Sequence, residues 1–237
     1  MIVNALNNFR ERVPGSVVSG LRTHFDKQLA QLMEDTLRLG YLAHHGVARA
    51  MKALVDRDVD LAGEVVVADG EINRLRYDIE TQCYALLATE QPVARDMRRI
   101  AAALTIASDL ERVGDHGKRI ARIFLRMHQS LQPIPLGDLP LISDLALDML
   151  DRALRALGES NVAEAEAVCR ADDRVDALYK QAFNVVLSYM LENPRLIDAG
   201  THLLQIAHEL ERVGDRATNV AERVIYSATG ELVDLND

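Results

Sequence analysis

The sequence predicts an all-α protein built as two tandem three-helix bundles. Apolar residues recur every three or four positions through most of the 237 residues, which is the spacing of one face of an α-helix. Three of the 6 prolines fall within residues 133–140, and aromatic residues make up only 4% of the chain. A short stretch, DLERVGD at 109–115, returns as ELERVGD at 209–215, which indicates a duplicated helical unit.

Six long helices follow from the apolar pattern and from the residues that interrupt it. The polar run DRDVD at 56–60 ends the first helix, and Pro92 suits the start of the third. Asn193 is suited to cap the last helix, Pro194 to open it and Gly230 to end it. The predicted helices cover residues 21–55, 59–88, 92–127, 141–158, 162–191 and 195–228.

The same pattern divides the chain into segments. Residues 1–20 have weak periodicity and are expected to form a loosely ordered leader. The first bundle is expected over 21–128 and the second over 141–229, because each half holds one hairpin break and one ERVGD copy. The Pro-rich residues 129–140 are the predicted linker, and 230–237 form a polar tail.

Each ERVGD copy places two carboxylates on one helix face. Glu111 and Asp115 are four residues apart, as are Glu211 and Asp215. Side chains at this spacing lie roughly 6 Å apart on a helix, and like charges there cost a few tenths of a kcal/mol. The repetition of this penalty predicts a cation beside the carboxylates.

Each copy also holds a glycine in mid-helix. Gly114 and Gly214 cost on the order of 1 kcal/mol relative to alanine. A neighbouring backbone packed closely against each glycine is expected to explain its presence.

Antiparallel packing places a second set of oxygen donors opposite each pair. Counting similar distances on either side of each hairpin tip brings two partners to each ERVGD copy. All eight side chains then offer oxygen, which suits hard or borderline cations. The predicted metal ligands are Asp69, Asn73, Glu111 and Asp115 in the first half, and Asp172, Asp176, Glu211 and Asp215 in the second.

The second half is the stronger candidate site. It has four carboxylates, and Asn219 follows Asp215 by one turn. The first half has Asn73 and Arg119 at the corresponding positions, although His116 is a further candidate ligand there. A solvated acidic face paired with arginines is the plain alternative to a metal site.

Several function classes are disfavoured by composition and motifs. A net charge of −9 and a pI near 5.3 argue against a general binder of nucleic acid or anionic membranes. No apolar run is long enough for a membrane span and no secretory signal is evident, so a cytoplasmic location is expected. No P-loop, GxSxG or Glu-x-x-His motif occurs.

The repeated stretches resemble a known family. SDLERVGDHGKRIA and HELERVGDRATNVAE are similar to the paired signature of PhoU proteins, the accessory regulators of phosphate-specific transport. The runs THFDKQLAQL at 23–32, D-x-x-I-N-x-L at 69–75 and QPVARDMRRI at 91–100 resemble that family in the same order. The resemblance covers about residues 22–228.

This resemblance implies a fold, a location and a role. PhoU proteins are two three-helix bundles that act in the cytoplasm, commonly as homodimers. They damp the phosphate-starvation (Pho regulon) response when phosphate is plentiful, by contacting the ATPase subunit of the phosphate ABC transporter and the sensor histidine kinase. The resemblance therefore implies a non-enzymatic regulator.

The resemblance also implies a cofactor. Family members bind multinuclear iron or zinc clusters through E(D)xxxD pairs, and manganese and magnesium are alternatives here. Seven of the eight predicted ligands match those pairs, and Asn73 departs from the pattern. Two other functions stay open from the residues alone: a metal-dependent phosphoesterase with a carboxylate-bridged cluster, and a metal-free adaptor whose carboxylates meet a basic partner.

Overall fold

The computed structural model describes residues 20–128 and 135–232, which form helices joined by short turns. Those residues contain no strand, and the predicted all-α fold of two three-helix bundles is confirmed. No helix within them is long and apolar enough to cross a membrane. The helices are α1 (Gly20–Asp56), α2 (Val59–Thr89), α3 (Ala94–Met127), α4 (Leu139–Glu159), α5 (Val162–Cys169), α6 (Asp172–Glu192) and α7 (Ile197–Thr229), with a 3₁₀ turn at Pro194–Leu196.

The two bundles are joined by the helices that carry the repeated stretch. α1, α2 and α3 pack together as the first bundle, and α4, the α5–α6 pair and α7 pack together as the second. The bundles meet mainly where α3 packs against α7, with α1 against α4 beside it. The apolar residues of the ERVGD copies on these two helices are fully buried: Leu110, Val113, Leu210 and Val213.

Side-chain caps fix where several helices begin. Asp58 accepts a hydrogen bond from Leu61 N at 2.9 Å and starts α2, and Asn161 accepts one from Glu164 N at 3.1 Å and starts α5. Asn193 caps the turn before α7, as the sequence predicted. Gly230 ends α7 with φ of 86°, a conformation that glycine adopts without steric cost.

The predicted fifth helix is wrong in one respect, because it is broken at residues 170–171. Ala171 N donates to Val168 O at 2.9 Å, and Arg174 N donates to Ala171 O at 3.2 Å. These three-residue turns replace α-helical bonds and separate α5 from α6. Neither Arg170 nor Ala171 is a helix breaker, so the apolar pattern gave no sign of the break. Its consequence is that Asp172 begins a helix.

The expectation of a backbone beside each ERVGD glycine is also corrected. A Cβ added to Gly114 would lie 2.8 Å from the Ile72 side chain, and one added to Gly214 would lie 3.1 Å from Asp172 Oδ1. Both glycines therefore face side chains. The close backbone approach occurs at Gly117, where an added Cβ would lie 2.9 Å from Val47 N of α1.

Most of the predicted leader, linker and tail lies outside the described residues. Residues 1–19, 129–134 and 233–237 are not among them. α4 begins at Leu139, inside the predicted linker. The division of the chain into these segments stays a prediction.

Candidate functional site

Four carboxylates converge between α6 and α7 and form the second-half acidic cluster, defined as Asp172, Asp176, Glu211 and Asp215. Asp172 is the first residue of α6 and Asp176 lies one turn later. Asp172 Oδ1 faces Gly214 of α7 at the 3.1 Å given above, so a side chain at position 214 would displace this carboxylate. The missing Cβ thus lets α6 present Asp172 to the ERVGD copy on α7.

Burial and neighbouring negative charges raise the pKa values of Asp172 and Glu211. Burial, and then the charges of Asp215, Asp176 and Glu211, raise the pKa of Asp172 to about 6. Burial, followed by the charge of Asp215, also raises the pKa of Glu211, against the opposing effect of His208 and Arg212. A cation placed among these groups would relieve the repulsion.

Two carboxylate oxygens of the cluster are buried without a hydrogen bond, while other members of the cluster are paired. Asp172 Oδ1 and Glu211 Oε2 are buried and accept no hydrogen bond. Arg212 donates to Asp215 at 2.9 Å, and Lys180 lies 3.4 Å from Asp176. His208 Nδ1 lies 3.3 Å from Glu211 Oε2, an ion-pair contact without hydrogen-bond geometry. Unpartnered buried carboxylate oxygens are costly and are the donors that a hard cation prefers.

These carboxylates do not form a closed ligand set as they stand. Across residues 20–128 and 135–232, no group of three or more His, Cys, Asp or Glu side chains is arranged to hold a metal ion. The carboxylate donors, and the buried oxygens that accept no hydrogen bond, fit a cation. Other side chains of the cluster are instead turned toward basic neighbours, as Asp215 is toward Arg212.

The first-half cluster, defined as Asp69, Asn73, Glu111 and Asp115, contains a lysine ammonium. Lys118 Nζ donates to Asp69 Oδ2 at 2.5 Å and lies 3.6 Å from Asp115 Oδ1. Asn73 Nδ2 donates to the same Asp69 oxygen at 3.0 Å. Asp69 Oδ1 remains buried without a partner.

The lysine changes the electrostatics of the first half. Burial, then the charge of Asp115, raises the pKa of Glu111, and Asp69 adds to the rise. The Lys118 ammonium supplies a positive charge beside two of the carboxylates. Lys118 is not among the residues predicted from sequence, although the repeat contains a signal for it: its counterpart 100 residues later is Thr218, which is neutral.

Two residues that the sequence associated with the clusters lie elsewhere. Arg119 reaches Glu209 of α7 at 3.5 Å, and Asn219 lies 3.4 Å from Asp109 of α3. Both point across the contact between bundles. His116 Nδ1 also lies 2.6 Å from Glu209, which is not part of the first-half cluster. Its position therefore does not support a role as a first-half ligand.

Comparison with known proteins decides the family. The model of the PhoU domain matches residues 36–124 and again residues 139–224. The chain belongs to the PhoU family. Each PhoU repeat contains one ERVGD copy and all four candidate ligands of its half.

Curated PhoU relatives match over most of their length. The chain is 36% identical over 217 residues to the phosphate-specific transport system accessory protein PhoU homolog of Clostridium acetobutylicum, covering 91% of this chain and 99% of the relative. It is 37% identical over 207 residues to the PhoU homolog of Rhizobium meliloti, with 87% of each chain covered.

Solved PhoU structures share the fold. The crystal structure of PhoU from Pseudomonas aeruginosa has a TM-score of 0.84 at 33% identity, covering 87% of this chain and 100% of that one. The phosphate transport system regulatory protein PhoU from Streptococcus pneumoniae has a TM-score of 0.82 at 32% identity, covering 89% and 99%.

Proposed function

We propose that this chain is a non-enzymatic regulator of a phosphate-specific transport system. The observation that carries the proposal is the match of both PhoU repeats, supported by relatives named as accessory proteins of that system and covered almost end to end. In this proposal the protein acts in the cytoplasm and damps the phosphate-starvation response when phosphate is plentiful. It couples the ATPase subunit of the transporter to a sensor histidine kinase.

We further propose that metal ions bind the acidic clusters. The ions of the second half would be held by Asp172, Asp176, Glu211 and Asp215, because Asp172 Oδ1 is buried without a hydrogen bond and the other three charges repel that of Asp172. When bound, the metal supplies positive charge that links α6 to α7. Multinuclear iron or zinc is the proposed occupant, with manganese and magnesium as alternatives.

The first-half cluster is the weaker of the two. Lys118 already supplies a positive charge to Asp69 and Asp115, and an amide replaces a carboxylate at Asn73. A divalent cation would compete there with the lysine. Unequal occupancy of the two PhoU repeats is therefore proposed, with the second half filled first.

A reporter strain tests the regulatory role. A host lacking its own PhoU protein and carrying a phosphate-starvation promoter reporter is complemented with this chain and grown in excess phosphate. Expression of the chain is expected to lower reporter output to the level of the intact host. Output that stays high, with the protein present at normal abundance, would contradict the proposed role.

Metal content tests the cofactor and the absence of catalysis. Protein purified without chelator or histidine tag is compared by mass spectrometry with the Glu211→Ala/Asp215→Ala variant, and the parent is expected to carry several-fold more metal. Both proteins are also offered p-nitrophenyl phosphate. Metal-dependent turnover that disappears in the variant would contradict the non-enzymatic proposal and support a phosphoesterase instead.

The homodimer is part of the same proposal. Light scattering at micromolar concentration is expected to give twice the mass of 26.3 kDa. A single 26.3 kDa species under these conditions would remove the dimer from the proposal without affecting the PhoU assignment.

A further inference from the structure

A cavity of about 790 Å³ opens between the two bundles and belongs to neither acidic cluster. Its α3 wall carries a row of three arginines, Arg119, Arg122 and Arg126, and α7 contributes the polar residues Gln205 and Glu209. This concentration of positive charge contrasts with the net charge of −9 of the whole chain. The cavity volume lies within the range of about 300–1,000 Å³ that is typical of small-molecule sites.

The arginine row has positive charge that the surrounding residues do not neutralise. Glu209 of α7 also lines the cavity, and it is already paired with His116 and Arg119. Within the described residues, Arg122 and Arg126 make no hydrogen bond or ion pair, and both are exposed. Two guanidinium groups are therefore available to an anion.

The row is specific to the first PhoU repeat. The residues 100 positions later are Asn219, Glu222 and Tyr226, none of which is basic. Packing of α7 in the second bundle therefore needs no arginine at these positions. The three arginines are not a requirement of the shared fold, which favours a role in binding.

The spacing of the row selects the ligand chemistry. Arg126 lies seven positions after Arg119, which is about 10 Å along a helix. One guanidinium group can bind two phosphate oxygens through parallel hydrogen bonds. A row of this length therefore suits a ligand with several phosphate groups in a line. Ile123 and Leu125 give the cavity an apolar portion.

We propose that the cavity between α3 and α7 binds a small molecule carrying a chain of phosphate groups along Arg119, Arg122 and Arg126. A nucleoside triphosphate and inorganic triphosphate share this chemistry. The apolar wall of Ile123 and Leu125 would distinguish them by contacting a base. This inference does not depend on the proposed regulatory role or on metal at the acidic clusters.

Calorimetric titration of the full chain with ATP, with inorganic triphosphate and with inorganic phosphate, in chelator and without divalent cations, tests the proposal. The variant Arg122→Gln/Arg126→Gln is expected to bind at least tenfold more weakly than the parent. The matched control Arg74→Gln/Arg95→Gln removes the same charge from exposed positions outside the cavity and is expected to bind within twofold of the parent. Circular dichroism checks that all the proteins remain folded.

The outcomes separate the alternatives. Tighter binding of ATP than of inorganic triphosphate supports a nucleotide held partly by the apolar wall, and equal binding supports a ligand recognised by its phosphates alone. No saturable binding by the parent up to millimolar ligand would overturn the proposal. Equal affinity of the parent and the cavity variant would also overturn it, as would inorganic phosphate binding as tightly as triphosphate. Loss of reporter repression would not bear on this result, because the titration measures binding directly.

Discussion

Glu209 of the second bundle contacts His116 of the first, with 2.6 Å between Oε2 and Nδ1. The equivalent pair in the duplicated unit, Asp109 and Arg216, is joined at 3.2 Å. In each pair, the first residue of one repeated stretch contacts the residue that immediately follows the other stretch. The duplicated sequence therefore serves two purposes: it presents carboxylates within each bundle and joins the bundles to each other.

Replacing Glu209 with glutamine is expected to lower the free energy of unfolding at pH 7 by about 1–3 kcal/mol, because a partly buried hydrogen bond loses its charged acceptor. Burial works to raise the pKa of Glu209, but the hydrogen bond and charge of His116, then Arg119, outweigh it and lower the pKa. The contribution is therefore present above the ordinary carboxyl pKa and is lost as pH falls through the lowered value.

Urea unfolding of the parent and Glu209→Gln at pH 7 and at pH 3.5 measures this effect. The difference between them is expected to shrink at the lower pH. Glu192→Gln, at an exposed position on α6, is the control and is expected to change stability by less than about 0.5 kcal/mol. A Glu209 variant as stable as this control would show that the contact does not hold the bundles together.

Replacing Asp172 with asparagine is expected to stabilise the metal-free protein. The pKa of Asp172 is raised from 3.8 to about 6, so its ionisation opposes folding. This penalty grows as pH rises from the ordinary carboxyl pKa to the raised value and is complete above it. The gain at pH 7.5 in chelator is expected to be about 1 kcal/mol after allowance for partial exposure, and is expected to vanish near pH 4. Unfolding in urea at the two pH values measures it.

Addition of a divalent cation is expected to make the parent more stable than Asp172→Asn, the reverse of the order in chelator. If the second-half acidic cluster binds metal, the parent gains stability on metal addition and Asp172→Asn gains much less. Asp173→Asn is the matched control, because Asp173 shares the first turn of α6 and is exposed. Equal stabilisation of the parent and the Asp172 variant by metal would contradict a role of Asp172 as a ligand.

Replacing Lys118 with threonine, the residue at its counterpart position, is expected to destabilise the metal-free chain by about 1–3 kcal/mol, because Asp69 is left buried without its cation. A divalent cation is expected to restore part of the loss. Thermal unfolding with and without metal measures both effects. A variant as stable as the parent in chelator would show that Lys118 does not balance the charge of the first-half cluster.

Much of the fold was predictable from local patterns. Apolar periodicity located the helices within a few residues, and Asn193 and Gly230 mark an N-terminal cap and a C-terminal stop as expected. Hairpin counting also brought Asp172 and Asp176 to face the ERVGD copy on α7, because short turns force antiparallel neighbours. These inferences depend only on contacts within one bundle.

The remaining features depend on contacts between bundles, which periodicity does not specify. The helical pattern gives the face of α3 but not its partner, so Arg119 and Asn219 were assigned to clusters that they do not join. Lys118 was missed because its role depends on a long side chain reaching Asp69 on a neighbouring helix. The break at residues 170–171 has no glycine or proline to signal it.

Replacing Gly117 with alanine is expected to destabilise the first bundle more than any other glycine substitution in α2 or α3. The new Cβ would lie 2.9 Å from Val47 N and 3.1 Å from Gly46 C, and backbone atoms cannot move aside as a side chain does. The expected loss is about 1–3 kcal/mol or more. At Gly114 the neighbour is the side chain of Ile72, so a smaller loss is expected.

Gly63→Ala is the matched control, because it changes a helical glycine with no atom within 4 Å of the added Cβ. It is expected to stabilise α2 by up to about 1 kcal/mol through helix propensity. Urea unfolding of the three variants should therefore rank Gly63→Ala above the parent, Gly114→Ala below it and Gly117→Ala lowest. If Gly117→Ala were as stable as Gly63→Ala, α1 and α3 would have to separate without cost, which contradicts the close packing of their backbones.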